Sequence, residues 1–195
     1  MQKLIFATNN KHKVEEIRSV LGNRFQIKTL EEAGIKIDIP EPYLTLEENA
    51  REKSRTIYTL TGQDCFGEDT GLEVFALNGE PGVKSARYAG EEKSFQKNID
   101  KLLSKLKGTT NREAQFRTVI SLYRSGKEFQ FEGICKGKIT DQQSGDGGFG
   151  YDPVFVPDGA YETFANMSLE EKNQYSHRRK AMDQLIGFLL MQAVS

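Results

Sequence analysis

The pattern of apolar and polar residues at the start of the chain predicts a strand, a helix and a second strand. Residues 3–8 form a short apolar run, and residues 25–30 alternate as a half-buried strand does. Between them, apolar residues recur at helical spacing, after Asn9 or Asn10 as a cap and before Gly22 as a stop. This order favours an α/β fold.

The rest of the chain continues the mixture of helices and strands. Helices are predicted at about 46–60, 95–106 and 176–191, with capping-box patterns at residues 45–48 and 168–171. Residues 115–123 and 128–138 predict a hairpin, and 154–156 a strand. Residues 64–76 indicate two strands, or one strand broken by a turn at Thr70-Gly71. With no repeat or linker, we expect a single domain over residues 1–195.

Composition narrows the classes of protein that the chain can be. The net charge of −1 argues against non-specific binding to nucleic acid or an anionic membrane. The apolar run near the N-terminus is too short for a signal peptide or a membrane span, so a cytoplasmic protein is expected. With two histidines and no GxSxG motif, an enzyme of this sequence would depend on carboxylates, lysines and arginines.

The polar turn ATNNKHK, residues 7–13, is the first candidate for chemistry. A turn between the end of a strand and the start of a helix offers backbone N–H groups and a helix dipole to an anion. Lys11 and Lys13 add positive charge. The alternative is a plain helix cap with solvated lysines, and the turn alone does not decide between the two.

The acidic segment Glu68-Asp69-Thr70 is the second candidate. It is predicted to lie at the end of a strand, where open α/β sheets place ligands. With Glu41 it supplies oxygen ligands of the kind that Mg²⁺ takes together with substrate phosphates. The alternative is an acidic turn exposed to solvent, which the apolar flanks disfavour.

A glycine-rich loop and a basic segment complete the candidates. Residues 145–150 match GxGxxG, but they lead into a strand rather than a helix, which excludes a dinucleotide fingerprint. The loop instead suits a flat ligand stacked on Phe149 or Tyr151, although spacing alone favours a wide loop with a structural tyrosine. The basic segment 176–180 could equally be a solvated helix face.

Four segments, TNNKHK, EDTG, GGFGYDPVF and SHR, occur in the order and spacing of one known family. The sequence resembles, over essentially its whole length, the inosine triphosphate pyrophosphatases, which include the bacterial dITP/XTP pyrophosphatases. The resemblance implies a long mixed sheet flanked by helices, with two lobes around a nucleotide cleft. It also implies a homodimeric, Mg²⁺-dependent enzyme that hydrolyses ITP, dITP and XTP to the monophosphate and pyrophosphate.

The resemblance also implies roles for individual residues. Asp69 matches the proton acceptor, and Glu41 and Asp69 match metal ligands, with Glu68 as a further candidate. The residues matched to substrate binding are Thr8, Asn9, Asn10, Lys11, His12, Lys13, Thr70, Phe149, Gly150, Tyr151, Asp152, Lys172, His177 and Arg178.

These roles give a chemical hypothesis. Water attacks the α-phosphorus with help from Asp69, while Lys13 and Lys53 neutralise the triphosphate. Arg178 or Lys172 donates a hydrogen bond to the O6 atom of a 6-oxopurine. Adenine has an amino group at this position and cannot accept that hydrogen bond. Two other functions remain open: a nucleotide pyrophosphatase of different base specificity, and a nucleotide-binding module without catalysis.

Overall fold

The computed structural model describes residues 2–21 and 25–192, and it confirms the predicted α/β fold. The strands are β1 (Gln2–Phe6), β2 (Phe25–Thr29), β3 (Cys65–Val74), β4 (Pro81–Gly82), β5 (Glu113–Arg124), β6 (Lys127–Ile139) and β7 (Phe155–Pro157). The helices are α1 (Lys11–Leu21), α2 (Leu46–Thr61), α3 (Phe95–Lys105), α4 (Leu169–Tyr175) and α5 (His177–Gln192).

Within the part of the chain that the structure describes, the strands form one mixed sheet. Its order is β2-β1-β3-β5-β6-β7, and β4 pairs with β3 outside this path. β1 runs parallel to both β2 and β3, whereas the pairs β3–β4 and β6–β7 are antiparallel. None of the described helices is long and apolar enough to cross a lipid bilayer.

Several local features confirm the sequence predictions. Ser168 and Glu171 form the complete capping box of α4. At α2 the Thr45 side chain accepts from the Glu48 N–H, but the Glu48 carboxylate accepts from the Thr45 hydroxyl at 2.7 Å. The hairpin turn at residues 125–126 has both φ angles positive, as a tight two-residue turn requires. Gly22, where α1 was predicted to end, lies outside the described residues.

The predicted turn at Thr70-Gly71 is wrong, because β3 runs without a break through both residues. The acidic segment therefore lies inside a strand and not at its end. The glycine has another cause: a Cβ on Gly71 would lie 2.6 Å from the carbonyl oxygen of Gly82 on the paired strand β4. Close approach of two backbones, rather than a turn, requires glycine here.

The chain divides into two compact units, each assembled from separate segments. Unit 1 takes in the described residues of Met1–Asp69, Thr118–Gly133 and Arg178–Ser195. One core of this unit joins Phe6 and Phe66 of the sheet to Ile17 of α1 and Met182 of α5. A second core packs Cys65 and its neighbours against α2. Unit 1 thus has helices on both faces of its strands.

Unit 2 consists of Thr70–Arg117 and Ile134–His177. Its core contains Leu72 of β3, Leu102 of α3 and Phe116 of β5, together with aromatic residues from the segment that follows β6. Phe116 and Phe155 meet edge to face with ring centroids 4.7 Å apart. This aromatic core fixes the segment that carries the glycine-rich loop.

Because α2 and β3 are in close contact at Gly67, a methyl group added there should destabilise the protein. A Cβ there would lie 2.5 Å from the Ala50 carbonyl oxygen and 2.6 Å from the Cβ of Lys53. We expect Gly67→Ala to lower the free energy of unfolding by about 1–3 kcal/mol in urea denaturation, because the helix must move away. Gly187→Ala is the control: it lies in α5 with open space around it, and should raise stability by about 0.5–1 kcal/mol. A neutral Gly67→Ala would contradict the close contact.

Candidate functional site

The turn before α1 is shaped by its own side chains. The Thr8 hydroxyl accepts from the Asn10 N–H at 3.1 Å, and the Asn10 side chain caps α1 by accepting from the Lys13 N–H at 3.2 Å. Asn9 donates to the Ile37 carbonyl at 3.1 Å. Lys11 and His12 are exposed. The turn thus presents polar and cationic groups where the positive end of the α1 dipole lies.

Lys13 points into unit 1 instead of into solvent. Its ammonium lies 3.6 Å from Glu68 Oε1, and only 15 % of its side chain is exposed. Burial lowers the pKa of Lys13, although the nearby Glu68 acts in the opposite direction. Lys13 therefore links the turn to the acidic strand.

Strand geometry separates the two neighbouring carboxylates. Successive side chains of a strand point to opposite faces. Cys65 and Gly67 meet α2, whereas Phe66 packs in the core with α1 and α5. Asp69 consequently faces α2, and Glu68 faces α1 and α5. Glu68 and Asp69, although adjacent in sequence, therefore have different surroundings.

On the α2 face, Lys53 is shared by two carboxylates. Its ammonium donates to Asp69 Oδ1 at 3.0 Å and to the Glu68 carbonyl oxygen at 2.9 Å, and it pairs with the Glu41 carboxylate. Burial acts to lower the pKa of Lys53, but the attraction of Asp69 and Glu41 prevails and raises it. Burial raises the pKa of Asp69, and the negative charge of Glu41 adds to this, against Lys53 and Lys13.

On the opposite face, Arg178 holds Glu68. The guanidinium donates from Nε at 3.1 Å to both oxygens of Glu68 and from Nη2 at 2.9 Å, while Nη1 donates to Glu16. Arg178 is 2 % exposed. Burial acts to lower its pKa, but Glu68 and Glu16 raise it, so the group stays charged. The two ion-paired sets stand on the two faces of one strand.

Glu16 is the residue of this network that the sequence reasoning missed. It is buried on α1, three positions after Lys13 and therefore on the same side of the helix. A carboxylate at core-facing spacing was the available signal, because such a group needs a cation.

The charges of this network do not cancel. Four carboxylates (Glu16, Glu41, Glu68, Asp69) surround three cations (Lys13, Lys53, Arg178). A polyanionic ligand would meet a negative excess unless it brought a further cation. No group of three or more His, Cys, Asp or Glu side chains among the described residues could hold a metal ion by itself. Glu41 and Asp69, which share the Lys53 ammonium, supply carboxylate oxygens of the kind that Mg²⁺ takes together with substrate phosphates.

Unit 2 contains a second polar cluster, around Asp152. Its Oδ2 accepts from Lys172 Nζ at 2.5 Å and from the Phe149 N–H at 2.8 Å. The same ammonium lies 5.2 Å from the centre of the half-buried Phe149 ring. A Cβ on Gly148 would lie 2.2 Å from Asp152 Oδ2, so the carboxylate requires a glycine at that position. A fixed cation beside an aromatic face suits a flat ligand with a hydrogen-bond acceptor.

The other matched residues of unit 2 differ in their surroundings. Tyr151 is buried and donates from its hydroxyl to the Ser85 carbonyl at 2.8 Å, and burial raises its pKa. His177 stacks on Phe116 with ring centroids 4.7 Å apart. Thr70 is half-buried in β3, and Gly150 has a φ of +64°. Phe149, rather than Tyr151, therefore offers the accessible aromatic face.

The structure thus groups the matched residues in two sets. The turn, Glu41, Lys53, Glu68, Asp69 and Arg178 belong to unit 1. Thr70, the Phe149–Asp152 segment, Lys172 and His177 belong to unit 2. Arg178 follows His177 directly in sequence, yet its guanidinium donates to the carboxylates Glu68 and Glu16 of unit 1.

Comparison with known proteins adds an independent observation. Residues 4–188 match the family described as the Ham1 family. The chain is 51 % identical over 187 residues to the dITP/XTP pyrophosphatase of Flavobacterium johnsoniae, covering 96 % of this chain and 97 % of that one. The same name belongs to a relative from Porphyromonas gingivalis, 51 % identical over 192 residues and covered to 97 % and 98 %. The solved Staphylococcus aureus Ham1 protein aligns with a TM-score of 0.89 at 41 % identity, covering 98 % of this chain and 100 % of that one.

The buried network predicts different effects for two neighbouring arginines. Arg178→Ala would leave Glu68 and Glu16 buried without their shared cation, so we expect the free energy of unfolding to fall by roughly 3–5 kcal/mol. Arg179 forms an exposed i,i+4 pair with Asp183, and Arg179→Ala should cost no more than about 0.5 kcal/mol. Urea denaturation of both variants measures the difference. Equal losses would contradict the network.

Proposed function

This chain belongs to the Ham1 family, and we propose that it hydrolyses dITP, XTP and ITP to the nucleoside monophosphate and pyrophosphate. It would then be a hydrolase that acts on phosphoric anhydrides and removes deaminated purines from the nucleotide pool. The names of relatives aligned over nearly the full chain support this proposal. The structural observation that carries it is the convergence of Asp69 and Glu41 on Lys53.

Asp69 is proposed to accept the proton of the attacking water. A general base has to titrate near the operating pH, and burial raises the pKa of Asp69 in that direction. Asp69 is also positioned by a hydrogen bond from Lys53 at 3.0 Å. Lys53 thereby orients the carboxylate.

Lys53 and Lys13 are proposed to bind the phosphate oxygens. Negative charge on these oxygens changes during the displacement, and positioned cations stabilise the transition state. The pairing of Lys53 with two carboxylates keeps it charged. The turn at residues 8–13 would bind the outer phosphates through its polar groups and the start of α1.

Glu41 and Asp69 are the residues proposed to hold Mg²⁺. Bound there with the substrate, the ion would supply the positive charge that the network lacks and polarise the phosphate. Glu68 is left out of the proposed set, because its carboxylate oxygens accept from Arg178 on the other face of β3.

The purine base is assigned to the cluster of unit 2. Phe149 offers a stacking face, and Lys172 can donate to O6 of hypoxanthine or xanthine but cannot accept from the amino group of adenine. Asp152 orients the ammonium. Between the two donors that the sequence left open, we choose Lys172, because its ammonium lies 5.2 Å from the centre of the Phe149 ring, whereas the Arg178 guanidinium donates to Glu68 and Glu16 in unit 1.

A substrate panel tests the proposed activity. Pyrophosphate release would be measured from dITP, XTP, ITP, GTP, dATP and dUTP, with Mg²⁺ and with a chelator. We expect turnover of the first three only, and only with the metal. Preference for a pyrimidine or an adenine nucleotide, or no release from any of them, would overturn the proposal. The family resemblance also implies a homodimer, which light scattering of the purified protein would test.

The variant Asp69→Asn tests the contribution of Asp69 as the general base. The amide cannot accept the proton, so kcat/KM for dITP should fall by roughly 10²–10⁴-fold. In the parent, activity should fall at low pH as Asp69 becomes protonated, since burial raises its pKa in the metal-free protein, and the variant should lose this acid limb. Asp64→Asn, just before the same strand, is the control and should retain parental activity. A few-fold effect of Asp69→Asn would refute the role.

We expect the variant Lys172→Met to discriminate less between purine bases. Removing the charged donor should reduce the preference for dITP over dATP by roughly 10- to 100-fold, since hydrogen bonds to charged groups contribute about 1.5–3 kcal/mol. The exposed Lys136 of the same unit provides the matched control, Lys136→Met. An unchanged ratio of kcat/KM values in Lys172→Met would show that another group reads the base.

A further inference from the structure

Phe95 is a large apolar side chain that lies at the surface of unit 2. It is the first residue of α3, which Ser94 caps by accepting from the Lys97 N–H. Its exposed fraction is 43 %. The residues of α3 that enter the core are Ile99 and Leu102. Packing of α3 on the core therefore does not account for an aromatic residue at this position.

The ring of Phe95 contacts the ring of Phe149. Their centroids are 6.3 Å apart and the planes are tilted by 48°, within the range of a favourable aromatic pair. Phe149 is the accessible aromatic residue of the Asp152 cluster, with the Lys172 ammonium 5.2 Å from its centre. Phe95 is thus beside the group to which base stacking is assigned.

Partly buried hydrogen bonds connect the segments that carry the two rings. The Ser85 carbonyl accepts from Asn98 Nδ2 at 3.3 Å and from the Tyr151 hydroxyl at 2.8 Å. Asn98 lies on the first turn of α3, and Tyr151 lies two residues after Phe149. Asn98 also donates to Ala86 O at 3.0 Å and accepts from the Ala89 N–H at 2.7 Å. One carbonyl therefore ties the start of α3 to the glycine-rich loop.

We propose that Phe95 is a further substrate-binding residue, which extends the Phe149 face so that the purine ring packs against both aromatic side chains. The inference rests on the proposed function, because it names a contact of the same substrate. The Phe95 side chain is apolar and aromatic, so it strengthens the binding of any purine. Discrimination between 6-substituents is assigned to Lys172. Phe95 takes no part in the displacement at phosphorus.

The test compares Phe95→Ala with Phe75→Ala in steady-state hydrolysis of dITP. Stacking of a base on an aromatic side chain is worth roughly 5- to 100-fold in affinity, and Phe149 remains. We therefore expect KM to rise about 5- to 20-fold in Phe95→Ala, with kcat within about two-fold of the parent. Phe75 is an equally exposed phenylalanine of unit 2, at 46 %, and Phe75→Ala should leave both constants unchanged. Phe95→Tyr should restore the parental KM.

The outcomes separate this inference from the proposed function. A parent enzyme that hydrolyses dITP, with KM unchanged in Phe95→Ala, overturns the role of Phe95 alone. A fall in kcat with unchanged KM, or no recovery in Phe95→Tyr, overturns it as well. A parent that releases no pyrophosphate from dITP, XTP or ITP refutes the proposed function, and the role of Phe95 with it.

Discussion

Two consecutive carboxylates buried in one strand are the constraint on which the site depends. A buried charge is costly unless it is paired, and neighbouring like charges increase that cost. The alternation of side chains along β3 meets this constraint, because it directs Asp69 to Lys53 and Glu68 to Arg178. The Asp69 face carries the proposed general base and metal ligands. The Glu68 face ties β3 to α1 and α5, and it also places Lys13, a proposed phosphate ligand, 3.6 Å from Glu68 Oε1.

The position of Lys53 follows from the backbone around it. Thr45 starts α2, and the absence of a side chain at Gly67 allows this helix to approach β3 closely enough for Lys53 to reach Asp69 and Glu41. A glycine two residues before the proposed general base Asp69 is therefore part of the candidate site, although it has no functional group. In unit 2, Gly148 serves the same end by making room for the carboxylate of Asp152.

Local patterns predicted most of the elements, because caps, hairpin turns and helical spacing act over a few residues. The Ser168 box, the Asn10 cap and the hairpin are of this kind. The errors and omissions concern long-range contacts. Gly71 suggested a turn because the approach of β4 is invisible in sequence, and Glu16 was missed because its partner Arg178 is 162 positions away. The motifs identified the matched residues without showing which of them are paired.

The central claim is that Mg²⁺ binds on the Asp69 face of β3 and not on the Glu68 face. The most direct test is the Mg²⁺ concentration that gives half-maximal hydrolysis of dITP, measured in Glu41→Gln and in Glu68→Gln. Glu41 shares Lys53 with Asp69, whereas Glu68 is bound by Arg178 on the other face. We expect Glu41→Gln to raise this concentration about ten-fold or more, because the change removes a proposed metal ligand. Glu68→Gln should leave it within about two-fold of the parent. A rise in Glu68→Gln with none in Glu41→Gln would show that Glu68, and not Glu41, binds the metal.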